Sequence, residues 1–160
     1  MEPTKILMVC LGNICRSPLA EGILRQKLMD AGMHGEVDSA GTGNWHIGEK
    51  PHPLSQKVAA KNNIDISYQR ARQFCPEDLE RFDRIYFMDN NNLDDAKRMA
   101  GSKWQAKKAA LLLDHLPKAG IRDVPDPYFG EFDGYEEVFD LIAEACDAIV
   151  EDLRNFAGRG

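Results

Sequence analysis

The sequence predicts an α/β fold: a four-stranded, mainly parallel sheet with helices on both faces. Three observations lead there. Four short apolar runs alternate with segments of helical periodicity. The first run ends in a Gly-Asn turn that opens straight into a helix, as in a βαβ unit. The turns after the first, third and fourth runs fall at the carboxyl ends of strands, where open α/β sheets bind ligands.

Residues 6–9, Ile-Leu-Met-Val, read as a short buried strand. A helix follows, with Ser17 as its N-cap, Pro18 at its first position and Gly32 as its stop. Ala20, Ile23, Leu24, Leu28 and Ala31 give that helix one apolar face. Residues 36–41 read as the second strand, and residues 54–62 as a weaker helix introduced by Pro51 and Pro53. Propensity leaves 64–73 unassigned and gives a helical turn at 76–79. The third strand covers 84–88, and the turn 89–92 caps a helix running to about Met99. Residues 109–113 read as the fourth strand. A loop rich in Pro, Gly and Asp spans 114–134, a length that in a compact domain marks function or mobility. The last helix carries a stripe from Tyr135 through Ile142, Cys146, Ile149 and Leu153 to Phe156, with acidic residues on its solvated face.

At 160 residues, one domain over 1–160 can bury a single core. Apolar residues are 43% and charged residues 29%, ordinary for a globular chain. A net charge of −6 disfavours nucleic acid and anionic membranes as partners. The amino terminus lacks signal-peptide character, and no apolar run nears the ~20 residues that span a bilayer, so a cytoplasmic location without membrane insertion is expected. The four cysteines, 10, 15, 75 and 146, form no C-x-x-C pair, and the four histidines add no zinc spacing. Neither a metal site nor a disulfide scaffold is expected.

The chemistry concentrates in Cys10-Leu11-Gly12-Asn13-Ile14-Cys15-Arg16-Ser17, a candidate phosphate-binding loop after the first strand. Five residues between Cys10 and Arg16 can curl so that their N–H groups form an anion nest at a helix N-terminus. Gly12 permits close backbone approach, and Asn13 tolerates a left-handed conformation. Arg16 can offer a planar fork to two phosphoryl oxygens. Ser17 can hydrogen-bond the sulfur of Cys10, a thiol whose position favours the thiolate and attack on phosphorus. A Walker-type loop is excluded because no GK[ST] follows.

The run from Cys10 to Pro18 resembles the signature loop of the low-molecular-weight protein tyrosine phosphatases. Asp38-Ser39-Ala40-Gly41-Thr42, Ala71-Arg72-Gln73, Met88-Asp89 and Asp126-Pro127-Tyr128-Phe129-Gly130 resemble further family segments, so the likeness covers nearly the whole chain. It implies hydrolysis of phosphotyrosine and aryl phosphate monoesters through a phosphocysteine on Cys10, with no metal or organic cofactor. Arg16 and the loop amides would bind phosphate, and Asp126 would be general acid and then base. Trp45, Tyr128 and Phe129 would wall the substrate pocket. Phosphotyrosine-containing proteins would be the partners of a monomer or weak homodimer. Many members carry a second cysteine at Cys15, able to pair with the nucleophile under oxidation. Two departures touch the shell beneath Asn13. Gln69 stands where many members have a histidine bonded to that asparagine, and Gly43 where animal members often have serine. Gln69 could still donate an amide hydrogen to Asn13. A thioredoxin-linked arsenate reductase shares the loop pattern but needs two further cysteines after the third strand, and none lies between Cys75 and Cys146. A phosphoprotein-binding module is the remaining alternative, and it would need neither nucleophile nor acid.

Overall fold

The structure, a computed structural model, describes residues 4–116 and 122–159, with side chains to 156. Four parallel strands form one sheet in the order β2-β1-β3-β4, with β1 at Thr4–Cys10, β2 at Gly35–Gly41, β3 at Arg84–Phe87 and β4 at Ala109–Leu111. Successive side chains of β1 point to opposite faces, so the strand contributes to two cores. Ile6, Met8 and Cys10 join a cluster with helices α1 (Arg16–Asp30), α2 (Pro53–Lys61) and α5 (Phe132–Arg159). Leu7 and Val9 join a second cluster on the other face, with Phe74, Ile85, Phe87 and helices α3 (Asp78–Arg81) and α4 (Asn90–Ala100). Helices therefore cover both faces, as predicted, and no described helix is long and apolar enough to cross a membrane.

The chain leaves β1 for β2 on one side and returns to β3 on the other. The crevice between the carboxyl ends of β1 and β3 is thus the point where strand order reverses. Cys10 ends β1, and Asp89 follows β3 as the N-cap of α4, its carboxylate accepting the Asn92 N–H.

Several predicted boundaries shift. Helix α1 begins at Arg16 with Cys15 as N-cap, so Ser17 lies inside it and its hydroxyl serves the loop instead of capping. The fourth strand stops at Leu111, because Asp114 accepts the Leu111 N–H and turns the chain into a 3-10 helix. Leu112 and Leu113 remain buried there, so the apolar run that suggested strand reflects packing alone. Helix α5 starts three residues before Tyr135, shortening the predicted loop, of which 117–121 lie outside the described residues. Phe156, assigned to the buried stripe, is 69% exposed, since the core it would face ends at Leu153.

Candidate active site

The loop between β1 and α1 is held from outside by its carbonyls. The N–H groups of Thr42, Gly43 and His52 donate to the carbonyls of Cys10 (3.0 Å), Leu11 (2.8 Å) and Ile14 (2.8 Å). The Ser55 hydroxyl donates to the carbonyl of Cys15 at 3.1 Å. In a planar trans peptide the C=O of one residue and the N–H of the next point oppositely. Fixing these four carbonyls outward therefore turns the N–H groups of Leu11, Gly12, Cys15 and Arg16 to the inner side, and the dipole of α1 adds to them. Gly41 makes the close approach possible: a Cβ there would stand 2.6 Å from the Leu11 carbonyl oxygen and 3.0 Å from the Asn13 nitrogen. Asn13 holds the left-handed turn, with φ 58°.

Cys10 is buried, and its Sγ receives the Asn13 N–H at 3.3 Å and lies 3.0 Å from Ser17 Oγ. Arg16 is buried too. Its Nη1 donates to Asp89 Oδ2 (2.7 Å) and to the Val124 carbonyl (2.9 Å), and its Nη2 lies 3.7 Å from Asp126 Oδ2. Burial pulls the guanidinium pKa down, but Cys10, Asp89 and Asp126 outweigh that and raise it, so Arg16 stays charged. Val124 also donates its N–H to the Met88 carbonyl at 2.8 Å, pinning the Asp126 loop to the end of β3. Asp126 is partly exposed, and its Oδ1 accepts the Tyr128 N–H at 3.1 Å.

These groups share one cavity of about 210 Å³. Cys10, Leu11, Gly12, Ile14, Cys15 and Arg16 line it from the loop, and Trp45, Asp126, Tyr128 and Phe129 line it from the two flanking loops. Asn13 and Ser17 support the loop from behind, and their side chains do not line the cavity. Trp45 is 67% exposed and Phe129 97%, with Phe129 edge-on to Tyr128 at 4.7 Å between ring centroids. His46 also lines the cavity, with its ring 6.0 Å from that of Tyr128 and its Nδ1 2.8 Å from Glu49 Oε2. No motif in the sequence marks His46 for the site, and its place next to Trp45 in the Gly-rich loop 41–48 is the one signal for it. Among the described residues, no group of three or more His, Cys, Asp or Glu could hold a metal ion.

The shell beneath Asn13 differs from the expectation. Gln69 does not reach Asn13 but donates its amide to the Pro18 carbonyl at 3.0 Å. The Asn13 side chain instead donates to Ser17 Oγ (2.8 Å) and Ser39 Oγ (3.0 Å), and accepts the Arg72 N–H (3.0 Å). Where animal members often have a serine at position 43, a hydroxyl reaches Asn13 here from Ser39 on β2. Gly43 has another reason to be glycine, since a Cβ there would fall 1.9 Å from Cζ3 of Trp45, whose ring folds across it. Gly43→Ala is therefore expected to displace the Trp45 ring and raise KM for an aryl phosphate about tenfold. Inorganic phosphate should still inhibit with its wild-type constant. Steady-state kinetics checks both, and an unchanged KM would count against the placement of Trp45.

Cys15 packs against α5, its Sγ 3.6 Å from the Tyr135 hydroxyl. Burial pushes its thiol up to about 12, against the hydrogen bond from Tyr135.

The family described as low molecular weight phosphotyrosine protein phosphatase matches residues 5–157. The Bacillus subtilis low molecular weight protein-tyrosine-phosphatase YfkJ is 41% identical over 152 residues, covering 93% of this chain and 95% of the relative. The Streptomyces coelicolor low molecular weight protein-tyrosine-phosphatase is 38% identical, covering 94% and 93%. The crystal structure of YfkJ superposes with a TM-score of 0.89, at 37% identity and 97% coverage of both chains. Wzb of Vibrio vulnificus, solved in complex with benzylphosphonate, gives 0.83 at 28% identity, covering 94% of this chain and 99% of that one. A family match over nearly the full length, relatives near 40% identity and the same fold in solved members agree: the chain belongs to the low molecular weight protein tyrosine phosphatases, a family of phosphatase enzymes.

Proposed function

We propose that this protein hydrolyses phosphotyrosine in proteins through a phosphocysteine formed on Cys10. The observation that carries the reading is the single cavity lined by Cys10, Arg16 and Asp126. The Cys10 thiolate attacks phosphorus as the ester P–O bond breaks, and the departing oxygen takes the proton of Asp126. Water then attacks phosphorus, giving a proton to the Asp126 carboxylate. The S–P bond breaks, releasing phosphate and restoring the thiolate. Arg16 and the inward N–H groups hold the three equatorial oxygens, where charge is spread in the transition state. This electrostatic cradle supplies the stabilisation from the chain's own groups. An aromatic ring such as that of the benzylphosphonate bound by Vibrio vulnificus Wzb would lie between Trp45 and Tyr128. The shorter phosphoserine would leave those rings uncovered.

Acid-quenching the enzyme during turnover of a labelled aryl phosphate tests the intermediate. Label is expected on the peptide containing Cys10; label on another residue would overturn the mechanism.

Cys15 extends the proposal to oxidation. Peroxide converts the Cys10 thiolate to a sulfenic acid; a Cys15 thiolate attacking that sulfur would form a disulfide and expel hydroxide. With its thiol raised to about 12, Cys15 is almost wholly protonated at neutral pH. Disulfide formation in pre-oxidised enzyme should therefore accelerate about tenfold per pH unit from neutrality upward. Thiol mapping over a pH series checks this, and a flat profile would count against Cys15 as the attacking group.

A further inference from the structure

We propose that Tyr68 is a positioning residue for Cys10, acting through Glu21, Ser39 and Asn13. The inference rests on the reading of Cys10 as nucleophile. Glu21 on α1 is 4% exposed and plays no part in the mechanism above. Its Oε2 accepts the Tyr68 hydroxyl at 2.8 Å and Arg25 Nη1 at 3.3 Å, and its Oε1 accepts the Ser39 hydroxyl at 2.8 Å. Arg25 also donates to the Tyr68 oxygen. Tyr68 is half exposed, so the chain of contacts runs from the surface to the buried sulfur.

What travels along this chain is the direction of each hydrogen bond. An ionised carboxylate only accepts, so Glu21 obliges Ser39 to spend its single proton on it. The Ser39 oxygen is then an acceptor toward Asn13, which orients the Asn13 amide with Nδ2 toward Ser39 and Ser17 and Oδ1 toward the Arg72 N–H. Because Asn13 donates to Ser17, the Ser17 proton is free for other acceptors. The two in reach are Cys10 Sγ at 3.0 Å and the Ala40 carbonyl at 3.4 Å, of which the thiolate is nearer and charged.

Tyr68 favours the ionised form of the first link. Burial raises the Glu21 carboxyl above its usual value, and the hydrogen bonds from Tyr68 and Ser39 pull it back. Asp38 also faces Glu21 and raises it, while Arg25 lowers it. A protonated Glu21 could donate to Ser39, which would reverse the chain and set the Ser39 proton against Asn13.

Tyr68→Phe removes only the hydroxyl, at a half-exposed position outside the Cys10 cavity. The test is the pH profile of Cys10 alkylation by iodoacetamide, read on the intact enzyme by peptide mapping. The expected result is an upward move of the midpoint by about 0.5–1 pH unit. Glu21→Gln, whose amide can donate to Ser39, should move it further. Arg16 and Asp126 face Cys10 in all variants, so their effect cancels in the comparison. An unchanged midpoint in Tyr68→Phe overturns the proposal, even if Glu21→Gln moves it. Loss of phosphatase activity in Cys10→Ser, run alongside, shows whether the reading of the nucleophile still stands.

Discussion

Cys10→Ser is expected to abolish turnover of an aryl phosphate, by about 10⁴-fold or more, while inorganic phosphate still binds. Serine fits the space and can keep the neighbouring contacts, but its hydroxyl does not ionise near neutrality and has no base beside it. Its nearest polar neighbours are the Asn13 N–H and the Ser17 hydroxyl. Both suit an anion, and neither is a base that could take a proton. The loop is tethered by Thr42, Gly43, His52 and Ser55, none of which touches the substituted atom. Phosphate affinity is therefore expected to survive, and the loss should fall on kcat. Initial rates and phosphate titration of the same variant separate the two. Retention of more than about 1% of wild-type kcat would sink covalent catalysis at this position.

The second large effect is that of Asp126→Asn. Asparagine keeps an oxygen for the Tyr128 N–H, so the loop geometry is preserved and only the transferable proton is lost. The reduction in kcat/KM, which reports the steps up to P–O cleavage, is expected to be about 10²–10⁴-fold for phenyl phosphate. It should be much smaller for p-nitrophenyl phosphate, whose leaving group departs without protonation. The pH profile of kcat/KM should also lose the limb that reports the acid. A loss of equal size in kcat/KM for both substrates would assign Asp126 to phosphate binding, where its 3.7 Å approach to Arg16 offers the alternative contact.

How much of this was legible in the sequence follows from the range over which each feature is encoded. The loop from Cys10 to Ser17 is local: strand, Gly-Asn turn, arginine and helix start are contiguous, and backbone geometry alone brings their groups together. Asp126 could be named, but its pinning through Val124 to Met88 and Arg16 could not, because those contacts join residues more than 30 positions apart. Gln69 shows the same limit. The family resemblance placed it beneath Asn13, yet its amide donates to the Pro18 carbonyl. The support then comes from Ser39 on β2, in parallel register with Met8 of β1. Register is a property of the sheet, and no local pattern states it.

The outward tethering of the loop carbonyls also determines how such a site responds to mutagenesis. Apart from the Arg16 guanidinium, the proposed phosphate contacts are peptide N–H groups, which every residue except proline carries, so an alanine scan across Leu11, Ile14 and Cys15 would leave the ligand's hydrogen bonds intact. The sensitive positions lie elsewhere in the chain, at Gly41, which clears room for the loop, and at Ser55, whose hydroxyl holds one carbonyl. A map of mutational sensitivity would outline the clamps and leave the gripping atoms blank. Replacing single amides with esters, which deletes an N–H and keeps the side chain, is the substitution that would make those atoms visible.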